Sequence, residues 1–129
     1  MSDRSQFTHD DRSAVLDVLN GVAYILDSRA YDRLGEVFAA DIHFDNPGRL
    51  TADGLDKLID AFKAIANPSI SHHITNVVVV PDTGERATAT SKALTIRADK
   101  AVAAAEYTDV VKKTAAGWRI ASRSIRPLT

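Results

Sequence analysis

At 129 residues with a formal net charge of −1, the chain is long enough to bury one core and is expected as a single domain over 1–129. Its acids and bases are scattered, which leaves no basic stripe for nucleic acid and no polybasic stretch for a membrane surface. The absence of cysteine excludes a disulfide framework, thiolate catalysis and cysteine-ligated zinc.

The first residues, Met1-Ser2-Asp3-Arg4-Ser5-Gln6, lack the apolar core of a secretory signal, and no apolar run approaches the ~20 residues that span a bilayer. A cytoplasmic protein with a small-molecule or protein partner is therefore expected. Residues 1–9 read as a loose N-terminal arm. Within it Thr8 offers a capping oxygen to the acids Asp10 and Asp11, and Val15, Val18, Leu19, Val22, Ile25 and Leu26 then recur at helical spacing. Tyr24 falls on the flank of this first helix and is expected to pack. Asp27 sits in the last turn, where the helix dipole favours cations. Either solvent or a cationic partner across a cavity must hold it.

Tyr31, Leu34, Val37 and Phe38 predict a second, shorter helix, and Ile42-His43-Phe44-Asp45 a short strand ended by the turn signal Asn46-Pro47-Gly48. Thr51-Ala52-Asp53-Gly54 leads into a third helix carrying Leu55, Leu58, Ile59, Phe62 and Ile65, which Asn67-Pro68 stops. Long strands follow at 70–80, 86–97, 102–113 and 118–126, separated by turns at 81–85, 99–100 and 114–117. Four sequential antiparallel strands after three helices describe an α+β domain with a sheet curled round helices on one face. The excess of β-branched residues on both strand faces implies a second covering surface, such as another copy of the chain.

Chemistry concentrates around Ser71-His72-His73-Ile74-Thr75-Asn76. Regular alternation puts His72, Ile74, Asn76, Val78 and Val80 on one face of a strand, and His73, Thr75, Val77 and Val79 on the other. Whichever face turns inward carries one imidazole with it, a group able to take or give a proton near neutral pH; the alternative is a histidine hydrogen-bonded in the core or at a subunit contact. Adjacent histidines cannot share one ion without a bulge, and His9 and His43 are isolated, so no metal site is expected. The sequence has no nucleophile elbow, phosphate loop or dinucleotide fingerprint. Asp109, between valines, is either buried with a partner or on a wet face. Arg123 shares a face with Ala121 and Ile125 and either snorkels outward, pairs with Asp109 or Asp27, or faces an oxyanion.

Ile25-Leu26-Asp27, Tyr31 to Phe38, His72 to Asn76, Tyr107-Thr108-Asp109 and Gly117-Trp118-Arg119-Ile120, in that order, resemble the SnoaL-like branch of the NTF2-like superfamily. That branch is similar to scytalone dehydratase, bile-acid dehydratase, hexachlorocyclohexane dehydrochlorinase and the polyketide cyclases. The resemblance implies a cone-shaped barrel, with three N-terminal helices closing a curved, mainly antiparallel sheet around an apolar pocket, and a homodimer. It implies that Asp27 orients a strand histidine, which is His72 if Thr75-Asn76 anchors the match and His73 if the relatives are aligned without a gap. Arg123 matches a pocket arginine, and Phe44 and Tyr107 match aromatic pocket positions.

The reaction implied is a cofactor-free elimination of water or halide, or a proton-shift isomerisation, on a hydrophobic oxygenated molecule. Asp27 and His72 or His73 would be the base dyad, and Arg123 or Asn76 would meet developing negative charge. Val22 and Asn46 occupy pocket positions where relatives carry catalytic side chains, and Asp109 belongs to the same neighbourhood. The alternative is a ligand-binding or assembly domain without turnover.

Overall fold

The computed structural model describes residues 3–128. Helix α1 (His9–Asp27) starts at the expected cap: Thr8 accepts from the Asp11 amide while the Asp11 carboxylate accepts from the Thr8 amide. Its buried stripe includes Val15, Leu19, Val22 and Ile25. Tyr24 projects into solvent rather than packing. The second predicted helix is a single 3₁₀ stretch, Tyr31–Glu36, so two α-helices stand where three were expected; Gly35 and the short span leave no room for regular helical turns before strand β1 begins. The described part of the arm is partly ordered, with a 3₁₀ turn at Arg4–Gln6 and Phe7 edge-on against Trp118 at 5.5 Å. Its first two residues lie outside the described ones.

Strand β1 (Phe38–Asn46) is longer than the four residues predicted, and it turns through Gly48, at φ 76°, into β2 (Leu50–Asp53). The sequence reading missed β2 because Thr51 to Gly54 doubles as the lead into helix α2 (Leu55–Lys63). Strands β3 (Ser71–Thr83), β4 (Arg86–Ile96), β5 (Val102–Thr114) and β6 (Gly117–Leu128) follow as expected. The curved sheet runs β2-β1-β6-β5-β4-β3, antiparallel throughout except where β1 lies parallel to β6. The helices cover its concave face, closing a core of Leu19, Leu34, Phe38, Ile42, Leu58, Val111 and Ile120 among others.

Two irregularities decide which side chains reach that concave face. In β3, Thr75 pairs with Lys92 and Val78 with Thr90, so Asn76 and Val77 together oppose Ser91. Asn76 adopts φ 55°, a left-handed conformation that asparagine tolerates better than β-branched neighbours. The resulting bulge reverses the alternation. His72 and Ile74 turn inward at one end, Val77 and Val79 at the other, while His73, Thr75, Asn76, Val78 and Val80 face out. In β6, Val110 pairs with Ser122 and Val111 with Ile120. The extra residue, Ala121, lets Trp118 and Ile120 point inward and Arg123 still do so three residues later.

Candidate active site

Helix α1 ends with the Asp27 carboxylate aimed at the start of β3. One carboxylate oxygen lies 2.6 Å from His72 Nδ1, and the His72 backbone N–H donates to both oxygens at 3.1 Å. The unfavourable dipole at Asp27 is thereby answered by the partner across the cavity, not by solvent alone. Side-chain exposures of 18% for His72 and 25% for Asp27 place the pair partly shielded from water. With Nδ1 engaged, Nε2 is the ring nitrogen without a partner among the described residues. His73 lies on the outer face, where its Nε2 meets Ser71 Oγ at 2.7 Å.

His72 lines a cavity of about 570 Å³ between the helices and the concave sheet. Aromatic rings build part of the wall: Tyr31 stacks on Phe62 at 5.9 Å and Phe62 meets Phe44 edge-on at 5.7 Å, while the core residue Phe38, 6.1 Å from Phe44, packs against it from outside the lining. Such edge-on and offset contacts are favoured by the ring quadrupoles. Tyr107, Ile125 and Ala103 to Ala105 also line the cavity.

Arg123 closes the inner end. Its Nε and Nη2 donate to the two Asp109 oxygens at 2.7 and 3.0 Å, and its guanidinium carbon lies 4.5 Å from the centre of the Tyr107 ring and 5.7 Å from that of Phe38. Arg123 is 2% exposed and Asp109 fully buried, so of the three fates open to this arginine the pairing with Asp109 is realised. Burial alone would lower the guanidinium pKa, but the charge and hydrogen bonds of Asp109 outweigh it and hold the value above normal. Burial likewise pushes the Tyr107 phenol up, against the pull of Arg123.

Of the expected pocket residues, Phe44, Asn46, Tyr107 and Arg123 line the cavity with His72. Asn46 Oδ1 is buried without a hydrogen-bond partner. Three expectations are corrected. Val22 is packed into the core because it lies on the stripe of α1 that faces the sheet. Asn76 is exposed at the bulge, where its left-handed backbone turns it away from His72. Asp109 stands behind Arg123, outside the lining.

The sequence reading did not single out Tyr31, Phe62, Arg49 or Arg97, which also line the cavity. Their spacing marks Tyr31 and Phe62 only as apolar positions of helices. His43 is paired with Asp53 across β1 and β2 on the exposed side of the sheet, and this hydrogen bond, followed by the carboxylate's charge, raises its pKa. Among the described residues no group of three or more histidine, aspartate or glutamate side chains converges as a metal site, and no helix is long and apolar enough to cross a membrane.

A family model described as the SnoaL-like domain matches residues 8–124. No curated protein matches the sequence. Among solved structures, one from Novosphingobium aromaticivorans provisionally named an aromatic ring hydroxylase is 24% identical, covers 95% of this chain and 92% of its own, and superposes with a TM-score of 0.82. A provisionally named scytalone dehydratase from the same organism is 20% identical over 95% and 89%, with a TM-score of 0.79. A type 2 hexachlorocyclohexane dehydrochlorinase is 18% identical over 92% and 88%, with a TM-score of 0.74. At these identities the likeness speaks for the fold.

Proposed function

This chain belongs to the SnoaL-like domain family, and from that premise we propose that it is a lyase or isomerase that moves a proton on a hydrophobic oxygenated small molecule, with His72 as base and Asp27 as its orienting partner. The observation that carries this reading is the 2.6 Å contact between Asp27 and His72 Nδ1 on a residue lining the cavity. A carboxylate on Nδ1 fixes the proton there, leaves the Nε2 lone pair free, and stabilises the imidazolium formed on proton uptake.

No aspartate or glutamate side chain lines the cavity among the described residues, and the buried Tyr107 phenol is a weaker acid than usual. With no carboxyl group in the described wall, we route the proton that His72 removes back through His72. In a syn elimination Nε2 takes the proton beside a carbonyl, the C–H electrons form the double bond, and the departing hydroxide takes the same proton to leave as water. In an isomerisation the imidazolium returns it to another carbon of the conjugated system. In either case His72 ends the cycle unchanged. With Nε and Nη2 of Arg123 held by Asp109, its Nη1 edge is left to meet an oxyanion, and its charge there is partly offset.

Carbon-bound proton exchange in D₂O tests this reading. Cyclic β-hydroxy ketones incubated with the protein and followed by proton NMR should exchange the proton beside the carbonyl and lose water, and the His72→Ala variant should do neither. Exchange that persists in that variant removes His72 as the base. The same cavity would also suit a domain that binds without turnover, a reading favoured by the carboxyl-free wall; binding of these ketones with no exchange selects it.

The exposed Val78, Val80 and Val102 on the outer sheet face support a homodimer. Light scattering should give twice the monomer's 14.0 kDa, reduced to one copy by Val78→Lys with Val80→Lys. A monomeric native chain would remove this part of the proposal.

A further inference from the structure

Charge is distributed unevenly between the cavity and the rest of the molecule. The chain carries 17 acidic and 16 basic side chains, yet the described cavity wall holds Arg49, Arg97, Arg123 and His72 and no carboxylate. Arg123 is neutralised from behind by Asp109. Arg49 and Arg97 are not. Arg33, Arg86 and Arg126 are ion-paired, and the guanidinium groups of Arg4, Arg12 and Arg119 donate to backbone carbonyls. Among the described arginines, only Arg29, Arg49 and Arg97 have side chains without such a partner. Two of these three stand on the cavity.

Both are exposed residues on its lining. Arg49 leaves the β1–β2 turn, where its amide donates to the Asn46 carbonyl at 3.0 Å, and Arg97 follows β4, its amide held by the Ala101 carbonyl at 2.9 Å. The backbone at each position is anchored while the guanidinium is free. Ala103, Ala104 and Ala105, with small side chains, line the same cavity. Two guanidinium groups without a partner on the lining of a cavity that also presents aromatic rings suit a planar anion on an apolar body, because each fork matches carboxylate geometry.

We propose that the ligand of this cavity is an apolar ring compound bearing a carboxylate, with Arg49 and Arg97 holding the carboxylate at the mouth and the ring lying against Phe44 and Phe62. The inference rests on reading the cavity as the active site, and it names the substrate class: a ring acid whose reacting carbon reaches His72 from the end opposite its carboxylate. The mouth arginines are binding residues and take no part in proton transfer.

Calorimetric titration with 1-naphthoate and with the neutral, similarly shaped 1-naphthamide tests the inference at equilibrium, without turnover. The native chain should bind the acid about tenfold more tightly than the amide, as expected for two partly solvated charge pairs, and the preference should shrink at high salt. Arg49→Gln with Arg97→Gln should abolish the preference, the acid losing about tenfold more affinity than the amide. His72→Ala should keep the preference intact, which separates this result from the proton-exchange assay. Equal affinities for acid and amide in the native chain, a preference that survives the double variant, or binding of neither compound would overturn the proposal. Inorganic phosphate that displaces naphthoate with equal affinity would overturn the assignment to a carboxylate.

Discussion

Replacing Asp27 by Asn tests the dyad with little change of shape. The native carboxylate accepts one hydrogen bond from the His72 ring at 2.6 Å and two from its backbone amide at 3.1 Å. Asparagine keeps a single acceptor oxygen and no charge. Imidazolium and carboxylate about 4 Å apart, in surroundings of effective dielectric about 20, attract by about 4 kcal/mol. Both side chains are partly exposed, so solvent screening reduces this to about 2 kcal/mol, roughly 30-fold in rate.

A second effect has the same sign. If the asparagine amide donates to Nδ1, the ring proton is forced onto Nε2, the nitrogen needed as base; a trapped tautomer of this kind has cost about 10⁴-fold in the serine-protease triad. Exchange of the carbon-bound proton in D₂O should therefore fall by at least ~30-fold and up to ~10⁴-fold in Asp27→Asn. Asp27→Ala lacks the competing donor, so it should show the electrostatic loss without the tautomer trap and retain more activity than Asn. Fluorescence of Trp118, the sole tryptophan, would verify that both variants are folded. Exchange rates for Asp27→Asn within threefold of native would refute the assignment of Asp27 as the partner that tunes His72.

Asp109→Ala strands the buried Arg123 guanidinium and should destabilise the fold by about 3–5 kcal/mol in urea unfolding, whereas replacing both partners by Leu and Met should recover most of the loss. At the opposite end of the cone, the Thr8 amide, Trp118 and Lys113 hold the Asp11 carboxyl at about 2 against burial, below its ordinary value of 3.8. Because the folded pKa is the lower one, this stabilisation is complete above pH 3.8 and is lost as the pH falls through about 2. Asp11→Asn should flatten the acid limb of stability measured by Trp118 fluorescence. Asn76→Val, forced into a left-handed backbone at φ 55°, should cost about 1–2 kcal/mol, while Asn76→Gly should not destabilise.

Much of the architecture is legible locally. The Thr8–Asp11 capping box, the Asn46-Pro47-Gly48 turn and the Thr114 to Gly117 turn mark boundaries that the structure keeps, whereas the turn expected at Pro81 to Glu85 is tighter, since β3 continues to Thr83. Strand β2 was not legible, since four residues that both pair with β1 and introduce α2 carry no alternation of their own. Nor was the difference between Val22 and Phe44, two apolar residues of similar burial of which only one borders the cavity. That distinction depends on how far α1 stands from the sheet at each turn, which no local pattern encodes. Asp27 could be identified as an anomaly from its helix end alone, but its partner needed a choice between two adjacent histidines.

The bulges explain why that choice was hidden. A strand with unbroken alternation commits every second side chain to one face, so a strand that buries Val77 and Val79 would bury His73 and expose His72. The extra residue at Asn76 breaks this link, and the same strand contributes aliphatic side chains to the core and His72 to the cavity. Strand β6 solves the same problem with a bulge at Ala121: unbroken alternation through that residue, burying Trp118 and Ile120, would send Arg123 into solvent. The two bulges divide each strand into a core end and a cavity end, with the site side chains on the far side of the break from the packing that anchors the strand. Deleting either extra residue would restore plain alternation with His72 and Arg123 still facing inward, so it is the bulge that lets the longer strand keep both its core and its site side chains on the concave face. The bulges thus set the cavity's chemistry, although neither Asn76 nor Ala121 lines it.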